Sequence, residues 1–240
     1  MYGYRGQRIM KSKRYKKLPD KTNELPSEKI ETVLTSVKSN CTTKFDESLD
    51  LNFRINNKQK KNEINLRTVV NLPGGTGKKV RVAVVCEEGK LNDANKANAD
   101  LVGADDLIEK IKNGDLNFDK LICTPSMMIK LSKLGKVLGP KGLMPNPKLG
   151  TVTNDIIKAV NEAKAGQAEI RNDKDGNIGL SIGKKSFSDE NIIKNYKAVI
   201  DALEKEKSNL NIKGDLIKQI FITSSMGVSY RLKLEKAFLL

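Results

Sequence analysis

The 240-residue chain carries 44 Lys and Arg against 29 Asp and Glu, a formal charge of +15, with no His and no Trp. The missing imidazole excludes Ser-His-Asp and Cys-His nucleophile pairs and every His-containing zinc site. At 38% hydrophobic residues the chain can bury a core, and it has no apolar run near the roughly 20 residues of a membrane span. Cys41, Cys86 and Cys123 are dispersed singly. They fit small packing residues or inert thiols in a reducing compartment better than a disulfide framework or a metal cluster.

Residues 1–26 hold eight Lys or Arg against Asp20 and Glu24. A basic, acid-poor end without an apolar segment is not a secretory signal, and three readings stay open: a disordered tail, an RNA-binding arm or a targeting segment. Order is expected from Pro26, with Ser27 as cap of a helix bearing Ile30, Val33, Leu34 and Val37 on one face. Leu49, Leu51, Phe53 and Ile55 alternate with polar residues, the period of a half-buried strand. Residues 56–67 are polar and basic and read as a loop.

The texture changes near Gly74. Val80–Cys86 is almost continuously apolar, as expected of a strand covered on both faces. Helices are expected over about 92–99 and 104–113, a short apolar stretch at Leu101 and Val102, a second buried strand over Phe118–Cys123, and a third helix after Pro125. Such alternation marks a small Rossmann-like α/β domain. Beyond residue 150, Thr153 can cap a helix bearing Ile156, Ile157 and Val160. Ala168–Arg171 and Ile178–Ile182 flank an Asp-Gly step and read as a hairpin, and Ser188 opens a long helix. Strands near 216–223 and 228–234 finish the chain.

The expected fold is therefore α/β with two domains. Domain I is a discontinuous two-layer α+β unit from 27–75 and 161–231. Domain II is an inserted three-layer Rossmann-like unit at 76–160, and 232–240 is a C-terminal end. The two crossings would form a hinge through about 73–77 and 157–166.

Two motifs invite chemistry. Gly74-Gly75-Thr76-Gly77-Lys78-Lys79 fails as a phosphate loop, because Leu72 and Lys79 stand where Gly and Ser or Thr are needed and the segment precedes a strand. It reads as an interdomain turn. Lys130–Lys148 contains five lysines, no acid, and the rigid core Gly139-Pro140-Lys141-Gly142-Leu143-Met144-Pro145-Asn146-Pro147. It is an ordered loop, either a cover over the α/β sheet or a phosphate-facing surface. For Phe45 the residues alone leave a core aromatic as well as an exposed ring open. For Ser225-Met226-Gly227 they leave an ordinary turn as well as a contact surface.

Gly139–Pro147, continued by Lys148-Leu149-Gly150-Thr151-Val152, resembles the signature of the ribosomal protein L1 family of bacterial-type stalk proteins. Further resemblances follow in family order: Lys44–Leu49, Val70–Lys78, Ala163–Gln167 with Arg171–Lys174, and Ser224-Ser225-Met226-Gly227. They span about 27–231, leaving the basic tail outside. The resemblance implies a non-enzymatic protein without a cofactor or metal, a monomer within the ribosome. It implies binding to large-subunit rRNA at the stalk helices, assistance to exit-site tRNA release, and in bacteria binding to the protein's own mRNA. RNA contacts carried over by motif are Lys44, Phe45, Glu47, Ser225, Met226 and Gly227, with Glu169 and Arg171 by looser matches. Phe45 could lie on a sugar or base beside the Lys44 ammonium, and Gly227 would let backbone approach a ribose. Asn56-Asn57-Lys58 and Ile64–Thr68 depart from the family pattern, and Ser225 stands for its Thr. Abundant Lys, Asn and Ile fit an AT-rich genome, so a mitochondrial matrix and a bacterial cytoplasm both stay open. Two other classes also stay open: an α/β enzyme binding a nucleotide or phosphorylated metabolite in the inserted domain, and a generic basic RNA-binding scaffold.

Overall fold

The computed structural model describes residues 13–18, 29–56, 66–210 and 214–234. In chain order its elements are α1 (Ile30–Ser39), β1 (Ser48–Ile55), β2 (Arg67–Asn71), β3 (Val82–Val85), α2 (Leu91–Lys96), β4 (Leu101–Gly103), α3 (Asp105–Lys112), β5 (Lys120–Cys123), α4 (Pro125–Ser132), α5 (Gly135–Leu138), α6 (Ile156–Ala165), β6 (Gln167–Arg171), β7 (Asn177–Lys184), α7 (Asp189–Asn209), β8 (Ile217–Ser224) and β9 (Ser229–Leu232). No described helix is long and apolar enough to cross a membrane. The mixed α/β class read from the sequence stands.

Strand β1 lies at the middle of an antiparallel sheet of order β7-β1-β8-β9. Its apolar alternation does what it promised: Leu49, Leu51, Phe53 and Ile55 are buried under α1 and α7, and the intervening side chains face outward. Helix α7 starts at Ser188, whose hydroxyl accepts the Asn191 amide, with Asp189 and Glu190 in the first turn against the helix dipole. Ile192, Tyr196, Val199, Ile200 and Leu203 form its buried stripe.

A second assembly has its own cores. Strands β4-β3-β5 are parallel, and successive β3 residues serve opposite faces. Ala83 and Val85 pack with Leu107, Ile111, Met127 and Leu131 of α3 and α4. Val82 and Val84 pack with Ala94, Ile156, Val160 and Ala163 of α2 and α6. A parallel strand covered by helices on both sides must be apolar throughout, which is why this run lacks alternation.

Several local expectations change. Residue Arg67 belongs to β2, a strand the sequence does not announce, which pairs with β6 in a separate two-stranded ribbon. Its ladder is regular through Thr68, so Thr in place of a family Gly leaves the pairing intact. The Asp-Gly turn at 173–177 forms, yet its flanking strands part after a single Asn172–Ile178 bridge, β6 joining β2 and β7 joining β1. Thus the local hairpin signal marks a turn between two sheets. Helix α1 begins at Ile30 after Lys29, and the expected cap at Ser27 lies outside the described residues, as do 57–65. Helix α6 begins after Asp155, with the Thr153 hydroxyl accepting only the Asp155 amide, and Ile157 is exposed. Because Ala163 still packs in the second assembly, the chain returns to the first near Gly166.

The two crossings touch. Leu72 N donates to Gly166 O, and a Cβ on Gly166 (φ +108°) would sit 2.9 Å from Gly75 Cα. Only glycine tolerates that backbone and that approach. Fully buried Asn195 of α7 pins the glycine-rich turn: its Oδ1 accepts Gly74 N at 2.7 Å, and its Nδ2 donates to Gly75 O and Ile182 O. Asn195→Leu strands one amide and two carbonyls, each worth about 1–3 kcal/mol when unsatisfied. We expect thermal unfolding to show a loss of about 3 kcal/mol of stability, and an unchanged melting curve would refute that role.

Candidate nucleic-acid interface

Three loops meet at the end of the large sheet where β1 begins and β7 and β8 finish: 41–47, 184–187 and 224–227. Their meeting point is Glu47, which is 0% exposed. Its Oε1 accepts the Thr43 hydroxyl at 2.7 Å and the Thr43 amide, while Oε2 accepts Met226 N at 3.1 Å. Burial raises the carboxyl's pKa, but these donors outweigh it and hold it below the ordinary glutamate value. Glu47 is therefore ionised and turned inward. Its two oxygens tie the 41–47 and 224–227 loops together and so position the turns that carry Phe45 and Met226.

What those loops present is exposed. Phe45 stands 54% exposed in the turn that Thr43 and Glu47 hold, and Met226 is 49% exposed in the turn after β8. That settles the open reading of Phe45 against a core aromatic. Lys44 is exposed beside it. Ser225 is exposed too, although its hydroxyl already accepts Ser48 N at 3.0 Å and its amide donates to Ser48 O. The hydroxyl thus fastens the turn to β1. A Cβ on Gly227 would lie 2.2 Å from Ser224 Oγ, so a larger residue there would force the Ser224 side chain to move.

Sequence reasoning misses the third loop. Lys185 Nζ donates to Cys41 O, Lys185 N donates to Glu47 O, and Ser186 donates twice to Asp46. The Gly-Lys-Lys step at 183–185 is its sequence signal, a basic pair at a strand end. Arg14 also reaches this place, bonding Thr42 and the Met226 carbonyl. Nothing local in the sequence announces that contact.

Glu169 and Arg171 are not brought to this cluster. They lie on β6, which adjoins β7 at Ile178, while the cluster adjoins β7 at Lys184. Six residues of strand separate those ends, about 20 Å. Glu169 is moreover paired with Arg67 at 2.8 Å.

The Lys130–Lys148 segment is more structured than a loop, containing α5 and a 3-10 turn at Pro147–Leu149. Leu143, Met144 and Leu149 line a cleft facing Val69, Gln167 and Glu169 of the β2–β6 ribbon. Leu134 and Leu138, with Leu143 and Met144 against them, pack on the core that contains Ala83, Val85 and Leu121, so the segment covers the parallel sheet, while Lys133, Lys136, Lys141 and Lys148 remain exposed. All three cysteines are free and buried, and burial pushes the Cys123 thiol up to about 11. They are packing residues. Among the described residues no group of three His, Cys, Asp or Glu could hold a metal ion.

Comparison with known proteins identifies the family. The Ribosomal protein L1p/L10e family matches residues 37–228, which contain all three loops. The chain is 70% identical over 228 residues to the large ribosomal subunit protein uL1 of Pelagibacter ubique (strain HTCC1062), covering 95% of this chain and all of the relative. It is 47% identical to uL1 of Prochlorococcus marinus (strain NATL1A) over 91% of this chain and 92% of the relative. Against uL1 of Rickettsia bellii (strain OSU 85-389) it is 46% identical over 85% of each. These relatives are bacterial, which places the chain in the large ribosomal subunit of the cytoplasm and lends the mitochondrial alternative no support. It is a structural ribosomal protein and not an enzyme, so the nucleotide-binding α/β enzyme falls away. On the strength of a match across four-fifths of its length and of relatives covered over 85% or more of theirs, this chain belongs to the ribosomal protein L1 family.

Proposed function

We propose that the chain binds large-subunit rRNA at the stalk helices through the loop cluster at the end of the β7-β1-β8-β9 sheet. The observation that carries this reading is the exposed pair of Phe45 and Met226, held on adjoining turns by one buried carboxylate. An exposed aromatic ring, a thioether and a close-approach glycine suit the shallow groove and unstacked bases of RNA, where shape and the 2′-OH are read. Lys44 and Lys185 supply positive charge that positions phosphates. Hydroxyl-radical footprinting on purified large-subunit rRNA tests it. The reading expects protection confined to the stalk helices, and protection scattered over the RNA would reject it in favour of a generic basic scaffold.

In this proposal the discontinuous unit, 27–75 and 166–231, is the RNA-binding domain, and the inserted unit, which keeps α6, is carried as a lever that helps deacylated tRNA leave the exit site. The crossings at Gly75 and Gly166 would be its hinge. Movement must break the bonds between Lys120 Nζ and Gln167, at 2.9 Å to the backbone oxygen and 3.0 Å to Oε1. Burial already lowers the Lys120 pKa, with Glu169 opposing. Lys120→Met is expected to widen the distance distribution between spin labels on α3 and α7. An unchanged distribution would remove Lys120 as a latch. Repression of the protein's own messenger would use the same RNA surface. Deleting the stalk-like element from that messenger should relieve repression, and unchanged translation would reject it.

A further inference from the structure

Residues 13–18 are docked on the loop cluster, outside the family match that begins at residue 37. Leu18 is buried in the core of the large sheet and fixes the segment from below. Arg14 fixes it from above. Its Nη1 donates to Thr42 Oγ1 at 3.1 Å and its Nη2 donates to the Met226 carbonyl at 2.9 Å. It therefore spans the two turns that Glu47 joins from the interior, with one bond to each.

The charge balance at that point is unusual. Both partners of Arg14 are neutral oxygens, and no carboxylate lies within ion-pair distance of it among the described residues. The nearby acids are engaged: Asp46 accepts from Ser186, and Glu47 accepts from Thr43 and Met226. A guanidinium has five N–H donors, and among the described residues two are used. The guanidinium charge therefore lies beside the turn that presents Met226. Around the short helical turn that follows, Lys13, Lys16 and Lys17 are all exposed. The segment that Arg14 ties to the loop cluster thus carries four cations, and no acid is interleaved among residues 13–18.

We propose that the Lys13–Leu18 segment is part of the RNA interface, with Arg14 and Lys13, Lys16 and Lys17 gripping the phosphate backbone of the strand that Phe45 and Met226 touch. This rests on the stalk-RNA reading and adds a site to it. The segment is an electrostatic clamp: it contributes affinity and orientation, while shape is read by the loops. Of the three readings of the basic tail, it selects the RNA-binding arm for these residues.

The test uses the full chain, a stalk-helix RNA fragment and an unrelated duplex of equal length, titrated across a series of salt concentrations. Compared are wild type, the triple variant K13Q/K16Q/K17Q, Arg14→Ala, and a control removing equal charge elsewhere, K110Q/K112Q/K133Q. Those six lysines are exposed, so folding is retained. For the first triple variant we expect at least a tenfold loss of affinity on the stalk fragment. Its slope of log affinity against log salt should shrink by about 2, at roughly 0.7–0.9 for each phosphate no longer neutralised. Arg14→Ala should lose affinity and part of the slope, and the control should change neither. If wild type prefers the stalk fragment while the triple variant keeps both affinity and slope, the inference is overturned and the reading beneath it stands. If the control loses as much slope as the triple variant, only net charge matters, and the inference is equally overturned. If wild type shows no preference for the stalk fragment, the reading itself fails and takes the assigned ligand with it.

Discussion

Phe45→Ala is expected to weaken stalk-RNA binding by about 2 kcal/mol, roughly thirtyfold, while leaving the melting temperature where it was. The ring is more than half exposed and lies outside the core cluster, so its removal opens no cavity. Surface changes of that kind stay within about 0.5 kcal/mol of wild-type stability. Stacking of a base or sugar on an aromatic ring is worth about 1–3 kcal/mol by alanine substitution. Paired measurements of affinity and thermal unfolding separate the two. If affinity holds, Phe45 is not a contact. If stability falls with it, the ring is structural after all.

Glu47→Ala should act the other way round, damaging the fold of the site first. The substitution leaves the Thr43 hydroxyl and the Met226 amide without their acceptor in a buried place. At about 1–3 kcal/mol for each stranded donor, a loss near 3 kcal/mol follows. For a chain of this size that lowers the melting point by roughly 6–12 °C. RNA affinity should fall too, because Phe45 and Met226 lose their common support. A pH dependence accompanies it. The folded carboxyl lies below the ordinary value, so its contribution is fully present above the unfolded pKa of about 4.3 and is lost as pH falls through the folded one. Wild type should therefore lose stability in that acidic window, and Glu47→Ala should lack this component. A variant that melts like wild type, with the same acid dependence, would remove Glu47 as the link.

The contrast between these residues shows where sequence reasoning carries and where it stops. Strand β1, helix α7 and the buried β3 announce themselves because each repeats its apolar residues at the period of its own geometry, over enough positions to count. Strand β2 does not. Its five residues are mostly half-exposed, with only Val70 buried, so neither alternation nor an apolar run marks it. The Asp-Gly turn is legible but the partners of its strands are not, since a turn fixes its own four residues and says nothing of which sheet each strand joins. Glu47 and Asn195 are polar residues whose burial follows from partners far along the chain, Met226 and Gly74, and no local pattern contains that information. Arg14 lies still further from its partner Met226. The exposed contacts are found through resemblance to the L1 family. Their arrangement becomes clear only when the fold brings the loops to one sheet end.

The most direct test of the account compares the affinity of wild type and Phe45→Ala for a stalk-helix RNA and for a same-length unrelated duplex, at two salt concentrations. Wild type is expected to prefer the stalk helix at both concentrations, with a preference that survives the higher salt and that Phe45→Ala erodes. Equal affinity for the two RNAs, collapsing with salt and indifferent to the mutation, would contradict it and leave a polyanion binder that has the family's fold without its recognition.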